Sequence, residues 1–78
     1  MSYGYSQRLI EANKTAGDSL GVVLGRFCIE REISVNEIAE YLGVSRATIY
    51  NWFWGTHTPA REHGDHISLF IRQHKKRK

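Results

Sequence analysis

The chain has 78 residues, of which 41% are hydrophobic and 24% are charged, and its formal net charge is +3. This composition is typical of one small folded domain and excludes fibrous and disordered chains. The chain contains no apolar run of about 18 residues and no recognisable secretory signal, so we expect a cytoplasmic protein without a membrane partner. The single cysteine, Cys28, is expected to be buried as a small hydrophobic residue.

Two helices are predicted in the first 32 residues. The first runs from about Ser6 to Thr15 and ends before Gly17, and the second begins after Asp18 or Ser19. The spacing predicts that the core side of the second helix consists of Leu20, Val23, Leu24 and Phe27. Two glycines, at positions 21 and 25, are costly in a helix and indicate that a neighbouring helix approaches closely.

Some apolar residues are left over from this core pattern. Val22 and Ile29 fall on the opposite side of the second helix. Together with Leu69 and the N-terminal arm, we assign them to contacts between two copies of the chain.

The next two helices have sharper boundaries. Ser34 and Glu37 have the spacing of a capping box, in which each side chain accepts a hydrogen bond from an amide of the first turn. The helix that follows has a core side made of Val35, Ile38, Ala39 and Leu42, and it ends at Gly43. Ser45 then caps a helix over residues 46–54, which buries Ile49, Trp52 and Phe53 and ends at Gly55.

Only three residues, 43–45, connect these two helices, so the helices must cross steeply. A steep crossing requires a small side chain where the first helix touches the second, and Ala39 supplies it. Ile49 and Trp52 are predicted to anchor the second helix on the first. The spacing therefore predicts a helix-turn-helix over residues 34–54.

The remainder of the chain is predicted to be helical with a basic end. Thr58 and Pro59 begin a segment that Gly64 weakens, and Asp65 caps a final helix. Its apolar side is predicted to be Ile67, Phe70, Ile71 and His74, with Leu69 on the far side.

The predicted class is therefore all-α, a compact bundle of four to five short helices. We divide it into an arm and weak helix over 1–17, a helix-turn-helix domain over 18–74 with its motif at 34–54, and a basic tail over 75–78.

Charge is distributed unevenly along this bundle. Between residues 30 and 42, four glutamates accompany one arginine, whereas from residue 63 onward five basic residues accompany only Asp65. A basic end of this kind suits a polyanion such as nucleic acid.

Residues 34–59 resemble the lambda repressor and Cro-like helix-turn-helix regulators of bacteria and phages. The resemblance includes the segment Asn51, Trp52, Phe53, Trp54 and Gly55, followed by Pro59. It implies a sequence-specific regulator of transcription, without a cofactor, that binds double-stranded DNA in a bacterial or phage-infected cell, at the nucleoid. A homodimer on two half-sites about one helical turn apart is expected.

The resemblance also implies which residues touch DNA. The helix over 35–42 would cross the phosphate backbone, and the helix over 46–54 would lie in the major groove. Base contacts fall to Ser45, Arg46, Ala47, Thr48, Tyr50 and Asn51. Arginine suits guanine, asparagine suits adenine, and alanine suits the thymine methyl group. Phosphate contacts are expected from Asn36, Thr56, His57, Lys75, Lys76, Arg77 and Lys78.

Two aromatic residues beside this helix have open roles. Tyr41 either joins the phosphate contacts or packs against Trp54. Trp54 is either a base contact or a hydrophobic lid, and the lid is favoured because exposed tryptophan usually finds apolar cover.

Other functions fit parts of the sequence. A small protein-interaction factor would dock on RNA polymerase or another regulator through Tyr41, Tyr50 and Trp54. An accessory DNA-binding subunit in recombination or packaging would share every surface feature. His63 and His66 have no cysteine pair, so we expect no zinc site. No catalytic set is recognisable, so we expect no enzyme.

Overall fold

The computed structural model describes residues 5–76, and every regular element in that range is an α-helix. The five helices are α1 (Gln7–Lys14), α2 (Leu20–Arg31), α3 (Val35–Leu42), α4 (Arg46–Trp54) and α5 (Arg61–Lys76). The predicted all-α bundle is confirmed. Among the described residues, no helix is both long enough and apolar enough to span a membrane.

Serine and glycine residues set the helix boundaries. The first four helices are each preceded by a serine whose side-chain oxygen accepts a hydrogen bond from an amide three residues later: Ser6, Ser19, Ser34 and Ser45. Gly43 and Gly55 end α3 and α4 in the left-handed conformation, with φ of 72° and 85°. Residues with a Cβ adopt this conformation at a cost, so glycine fits both positions.

Helix α4 packs against α1, α2 and α3, and its most extensive contact is with α2. Close approach of α2 and α4 depends on the two predicted glycines. A Cβ on Gly21 would lie 2.7 Å from the Cβ of Trp52, and one on Gly25 would lie 2.8 Å from Cγ of Phe53. The prediction that these glycines mark a close helix contact is confirmed.

The predicted core side of α2 is partly wrong. Val22, Leu24 and Cys28 are fully buried, whereas the predicted Val23 and Phe27 are only half-buried. The reason is that α1 and α4 pack against the side that carries the glycines, which rotates the most buried face toward position 22. No apolar pattern within α2 alone reveals this rotation.

Most of the proposed dimer residues are packed inside the bundle. Val22 has no exposed surface, and Ile29 packs against the core. Tyr5, in the N-terminal arm, is buried, and its hydroxyl donates a hydrogen bond to the carbonyl of Ile33. The rest of the arm, residues 1–4, lies outside the described residues. Leu69 alone keeps a large exposed fraction, 41%.

The predicted break before the last helix is also wrong. Helix α5 continues through Gly64 and Asp65, and the amide of His63 already donates to the carbonyl of Ala60. Gly64 lies in the first turns of a helix that buries Ile67 and Phe70, and this burial outweighs a glycine cost of about 1 kcal/mol.

Candidate nucleic-acid interface

The turn between α3 and α4 has the predicted construction. Ala39 is buried, and its carbonyl accepts hydrogen bonds from the amides of Gly43 at 2.8 Å and Val44 at 3.1 Å. Ile49 is fully buried and Trp52 is 4% exposed. The small residue, the left-handed glycine and the two anchors therefore hold α4 against α3, as the spacing predicts.

A buried asparagine supports α4 from behind. Asn13 of α1 is 1% exposed, and its Nδ2 donates to the carbonyls of Phe53 at 2.9 Å and Val22 at 3.1 Å. Arg26 in turn donates to the carbonyl of Asn13 at 2.9 Å. Asn13 therefore joins α1, α2 and α4, a role that the sequence pattern did not predict. Its position four residues after the buried Leu9 was the available signal.

The opposite side of α4 faces away from the body of the protein. Arg46, Ala47, Tyr50 and Asn51 are all exposed. Within the described part of the chain, the ion pairs involve Arg26 and His74, and none includes Arg46. The guanidinium group of Arg46 is therefore available to an external acceptor.

Two of the predicted base contacts also serve as a helix cap. The Ser45 hydroxyl oxygen accepts the amide of Thr48 at 3.2 Å and lies 3.0 Å from the Thr48 hydroxyl oxygen. Ser45 is exposed and Thr48 is half-buried. Any DNA contact by either residue would share an oxygen that already stabilises the first turn of α4.

The predicted phosphate contacts fall into two groups. Thr56 and His57 are exposed at the end of α4, and their amides donate to the carbonyl of Asn51 at 3.1 and 3.3 Å. Asn36 is exposed in the first turn of α3. Lys75 is exposed at the end of α5 and follows His74, which contacts Glu37 in the first turn of α3. The predictions for the side chain of Lys76, for Arg77 and for Lys78 lie outside the described residues.

His74 makes one of the contacts between α3 and α5. Its Nε2 lies 3.5 Å from a carboxylate oxygen of Glu37, and its ring stacks on Phe70 with 4.1 Å between centroids. The Glu37 carboxylate therefore points to α5, and only the Ser34 half of the predicted capping box forms.

Tyr41 lies in the last turn of α3, and Trp54 is the last residue of α4. The ring of Tyr41 packs at a tilt against Phe70, with 5.0 Å between ring centroids, and the predicted phosphate contact by Tyr41 stays a prediction. Trp54 is 41% exposed at the end of α4, the same exposed fraction as Tyr41, whereas Trp52 is 4% exposed.

His63 and Cys28 both pack against neighbouring side chains. His63 stacks on Trp52 with 5.5 Å between centroids. In the described range, no three histidine, cysteine or acidic side chains cluster to hold a metal ion. Cys28 is buried, as predicted, and burial raises the pKa of its thiol to about 12.

This arrangement agrees with a known family. The family model described as "Helix-turn-helix domain" matches residues 32–74, which is more than half of the chain and includes α3, the turn and α4. Searches of curated proteins and of solved structures found no match. The matched family is broader than the lambda repressor and Cro-like group. Its description nevertheless fits the steep pair of helices and supports DNA binding. The chain therefore belongs to the helix-turn-helix domain family.

Proposed function

We propose that this protein is a sequence-specific, double-stranded DNA-binding regulator of transcription, similar to Cro and the lambda repressor. The observation that supports this most is the two-sided character of α4. Ile49, Trp52 and Phe53 fix one side in the core, while Arg46 and Asn51 stand on the exposed side. A rigidly held helix with a free polar face is the element that enters the major groove in this class of domain.

In this proposal, the exposed face of α4 reads base edges. Arg46 would donate two hydrogen bonds to guanine, Asn51 would pair with adenine, and Ala47 would touch a thymine methyl group. Asn36, Thr56, His57 and the basic end of α5 would contact phosphates and set the position of α4 along the groove.

The substitution Arg46→Ala tests this proposal. We expect it to weaken binding to a duplex selected from random DNA by about 1–3 kcal/mol, and to reduce the preference for that duplex over a scrambled one. Arg8→Ala is the matched control, because Arg8 is also exposed but lies on α1. Unchanged preference in Arg46→Ala, or an equal loss in both variants, would refute the assignment of α4 to the groove.

We further propose that the protein represses or switches promoters by occupying them as a homodimer. Among the described residues of the predicted dimer surface, Leu69 on α5 is the one with a large exposed fraction. Sedimentation with and without the selected duplex measures the stoichiometry. A single copy per duplex at high protein concentration would exclude the dimer.

A non-catalytic protein-interaction role is the second candidate. It is favoured by the exposed fractions of Tyr41 and Trp54, both 41%, and of Tyr50, 37%. RNA polymerase or another regulator would be the partner. Co-purification of a protein that survives nuclease treatment would favour this role, and DNA-dependent co-purification would favour the first. An accessory subunit in recombination or packaging would bind DNA in the same way, and its effect on promoters in a reporter assay separates the two uses.

A further inference from the structure

Trp54 lies on the same face of α4 as the predicted base contacts. Successive residues in an α-helix are rotated by about 100°, so Trp54 is about 20° from Ala47 and about 40° from Tyr50 around the axis. It is displaced from Ala47 by two turns, about 10 Å, toward the C-terminal end of α4. Trp54 therefore continues the exposed face to the point where the helix ends.

The surroundings of Trp54 leave 41% of the residue exposed. Within the described residues, its ring stacks on no other aromatic ring, and its indole N–H has no hydrogen-bond partner. In contrast, Trp52, two residues earlier, is 4% exposed and packs beside His63. Gly55 ends the helix directly after Trp54, and the exposed Thr56 and His57 follow. An apolar ring with an unpartnered N–H donor favours a partner that offers both an apolar surface and a hydrogen-bond acceptor.

The sugar-phosphate backbone of DNA has this mixed chemistry. Deoxyribose presents an apolar surface, and each phosphate accepts hydrogen bonds. A recognition helix enters the major groove by its N-terminal residues, so a residue two turns later lies toward the edge of the groove. Indole has one N–H donor, and a hydrogen bond to a charged acceptor is stronger than one to a neutral acceptor.

We propose that Trp54 is a DNA-contact residue that packs on the sugar-phosphate backbone at the edge of the major groove and donates its indole N–H to a phosphate. This inference rests on the proposed function, and it adds a contact that helps all sequences alike. Arg46 and Asn51 would choose the sequence, and Trp54 would limit how far α4 slides along the groove.

Tryptophan fluorescence and affinity together test this contact. The chain has two tryptophans, and Trp52 is buried, so a DNA-dependent change in emission in the full chain should come from Trp54. We expect the selected duplex to change the emission, and Trp54→Phe to abolish that change. Trp54→Ala should weaken binding to the selected and the scrambled duplex by the same factor, about tenfold, which is the effect of one charge-assisted hydrogen bond. Trp54→Phe should lose part of this affinity, because it keeps a ring but lacks the donor.

Controls separate this contact from other effects. Gln7→Ala removes an exposed, uncharged side chain from α1 and should leave affinity for DNA unchanged. The salt dependence of binding should stay the same in Trp54→Ala, because no charge is removed. Circular dichroism and thermal melting identify a variant that fails to fold, and in that case the emission of wild-type protein decides the question.

The outcomes also distinguish this inference from the proposed function. If wild-type protein binds neither duplex, the proposed function itself fails. If wild-type protein binds and Arg46→Ala loses preference, but the emission of Trp54 does not change on binding and Trp54→Ala binds as wild type, the inference on Trp54 alone is refuted. A loss in Trp54→Ala that is confined to the selected duplex would also refute it, because a backbone contact acts on all sequences.

Discussion

Whether a side chain in this protein is buried depends more on its position in the bundle than on its residue type. Two tryptophans two residues apart on α4 show this: Trp52 is buried at 4% exposure and Trp54 is 41% exposed. Two asparagines show it again, since Asn13 is fully enclosed by three helices and Asn51 is exposed on α4. Burial of a polar group requires hydrogen-bond partners, and Asn13 has them.

The glycines of α2 and α5 provide a matched pair of substitutions. A Cβ at Gly21 would meet Trp52 Cβ at 2.7 Å and the Trp52 Cα at 3.2 Å, whereas at Gly64 it would meet only Leu20 Cδ2 at 3.6 Å. We expect Gly21→Ala to lower the free energy of unfolding by about 1–3 kcal/mol through overpacking. Gly64→Ala should raise it by up to about 1 kcal/mol through helix propensity. Urea unfolding measures both, and a stable Gly21→Ala would contradict the close contact of α2 and α4.

Cys28 predicts a loss of stability in alkaline solution. Burial raises the pKa of its thiol from an ordinary value of 9.0 to about 12, and burial also raises the pKa of Tyr5. The unfolded chain therefore releases these protons at lower pH than the folded protein does. We expect the contribution of Cys28 to the free energy of unfolding to be constant below about pH 9 and to fall between about pH 9 and 12.

Urea unfolding across this pH range measures the effect. Cys28→Ala should have a shallower decline, with the contribution of Tyr5 remaining. An identical pH dependence in both proteins would contradict the burial of the thiol.

Among the elements, α1 has an unexpected role. It precedes the matched family range of 32–74, yet it packs against both α2 and α4. Tyr5, directly before α1, lies with its ring 6.1 Å from that of Phe53, and Asn13 bonds the carbonyl of the same residue. The orientation of α4 therefore depends on residues outside the helix-turn-helix itself.

Substitutions of the two asparagines test whether Asn13 stabilises the position of α4 while Asn51 recognises DNA. Asn13→Ala leaves the carbonyls of Val22 and Phe53 without their side-chain donor, and we expect the free energy of unfolding to fall by about 1–3 kcal/mol. Asn51→Ala changes an exposed side chain and should alter stability by less than about 0.5 kcal/mol, while lowering the preference for the selected duplex.

Thermal unfolding and DNA binding of both variants are the measurements. A large loss of stability in Asn51→Ala, or none in Asn13→Ala, would reverse the assignment of these two residues.

On the scale of the whole molecule, acidic and basic side chains lie near one another where α3 meets the end of α5. The exposed Glu37 and Glu40 lie on α3, and Lys75 lies at the end of α5 close to Glu37 through His74. Carboxylates on α3 repel the phosphate backbone that this helix is predicted to cross. The basic end of α5 would offset this repulsion, which gives the tail a role in affinity and none in sequence preference.

Removal of the four basic residues after His74 tests this role. The chain has a formal net charge of +3, so the loss of these cations changes its sign. We expect weaker binding to all duplexes and a smaller slope of log affinity against log salt, by about 1 for each lysine or arginine that contacts a phosphate.

Replacement of the same four residues by glutamine is the control, because it keeps the length of α5 and should have the same effect. An unchanged salt slope in both variants would show that the tail does not touch DNA.

The sequence alone determined the all-α class and most of the boundaries of the first four helices. Serine caps, left-handed glycines and a small residue before a tight turn act over a few residues, so their spacing is sufficient to predict α3, the turn and α4. The exposed face of α4 also follows from helical spacing, because Ile49, Trp52 and Phe53 leave the other side free.

Only the tertiary structure decided which face of α2 is most buried, that α5 continues through Gly64, and that Asn13 holds α4 in place. It also placed Tyr41 on Phe70 and left Trp54 exposed. These features depend on contacts between helices far apart in sequence. Such contacts are set by the shape of the packed bundle, which no local pattern of residues contains.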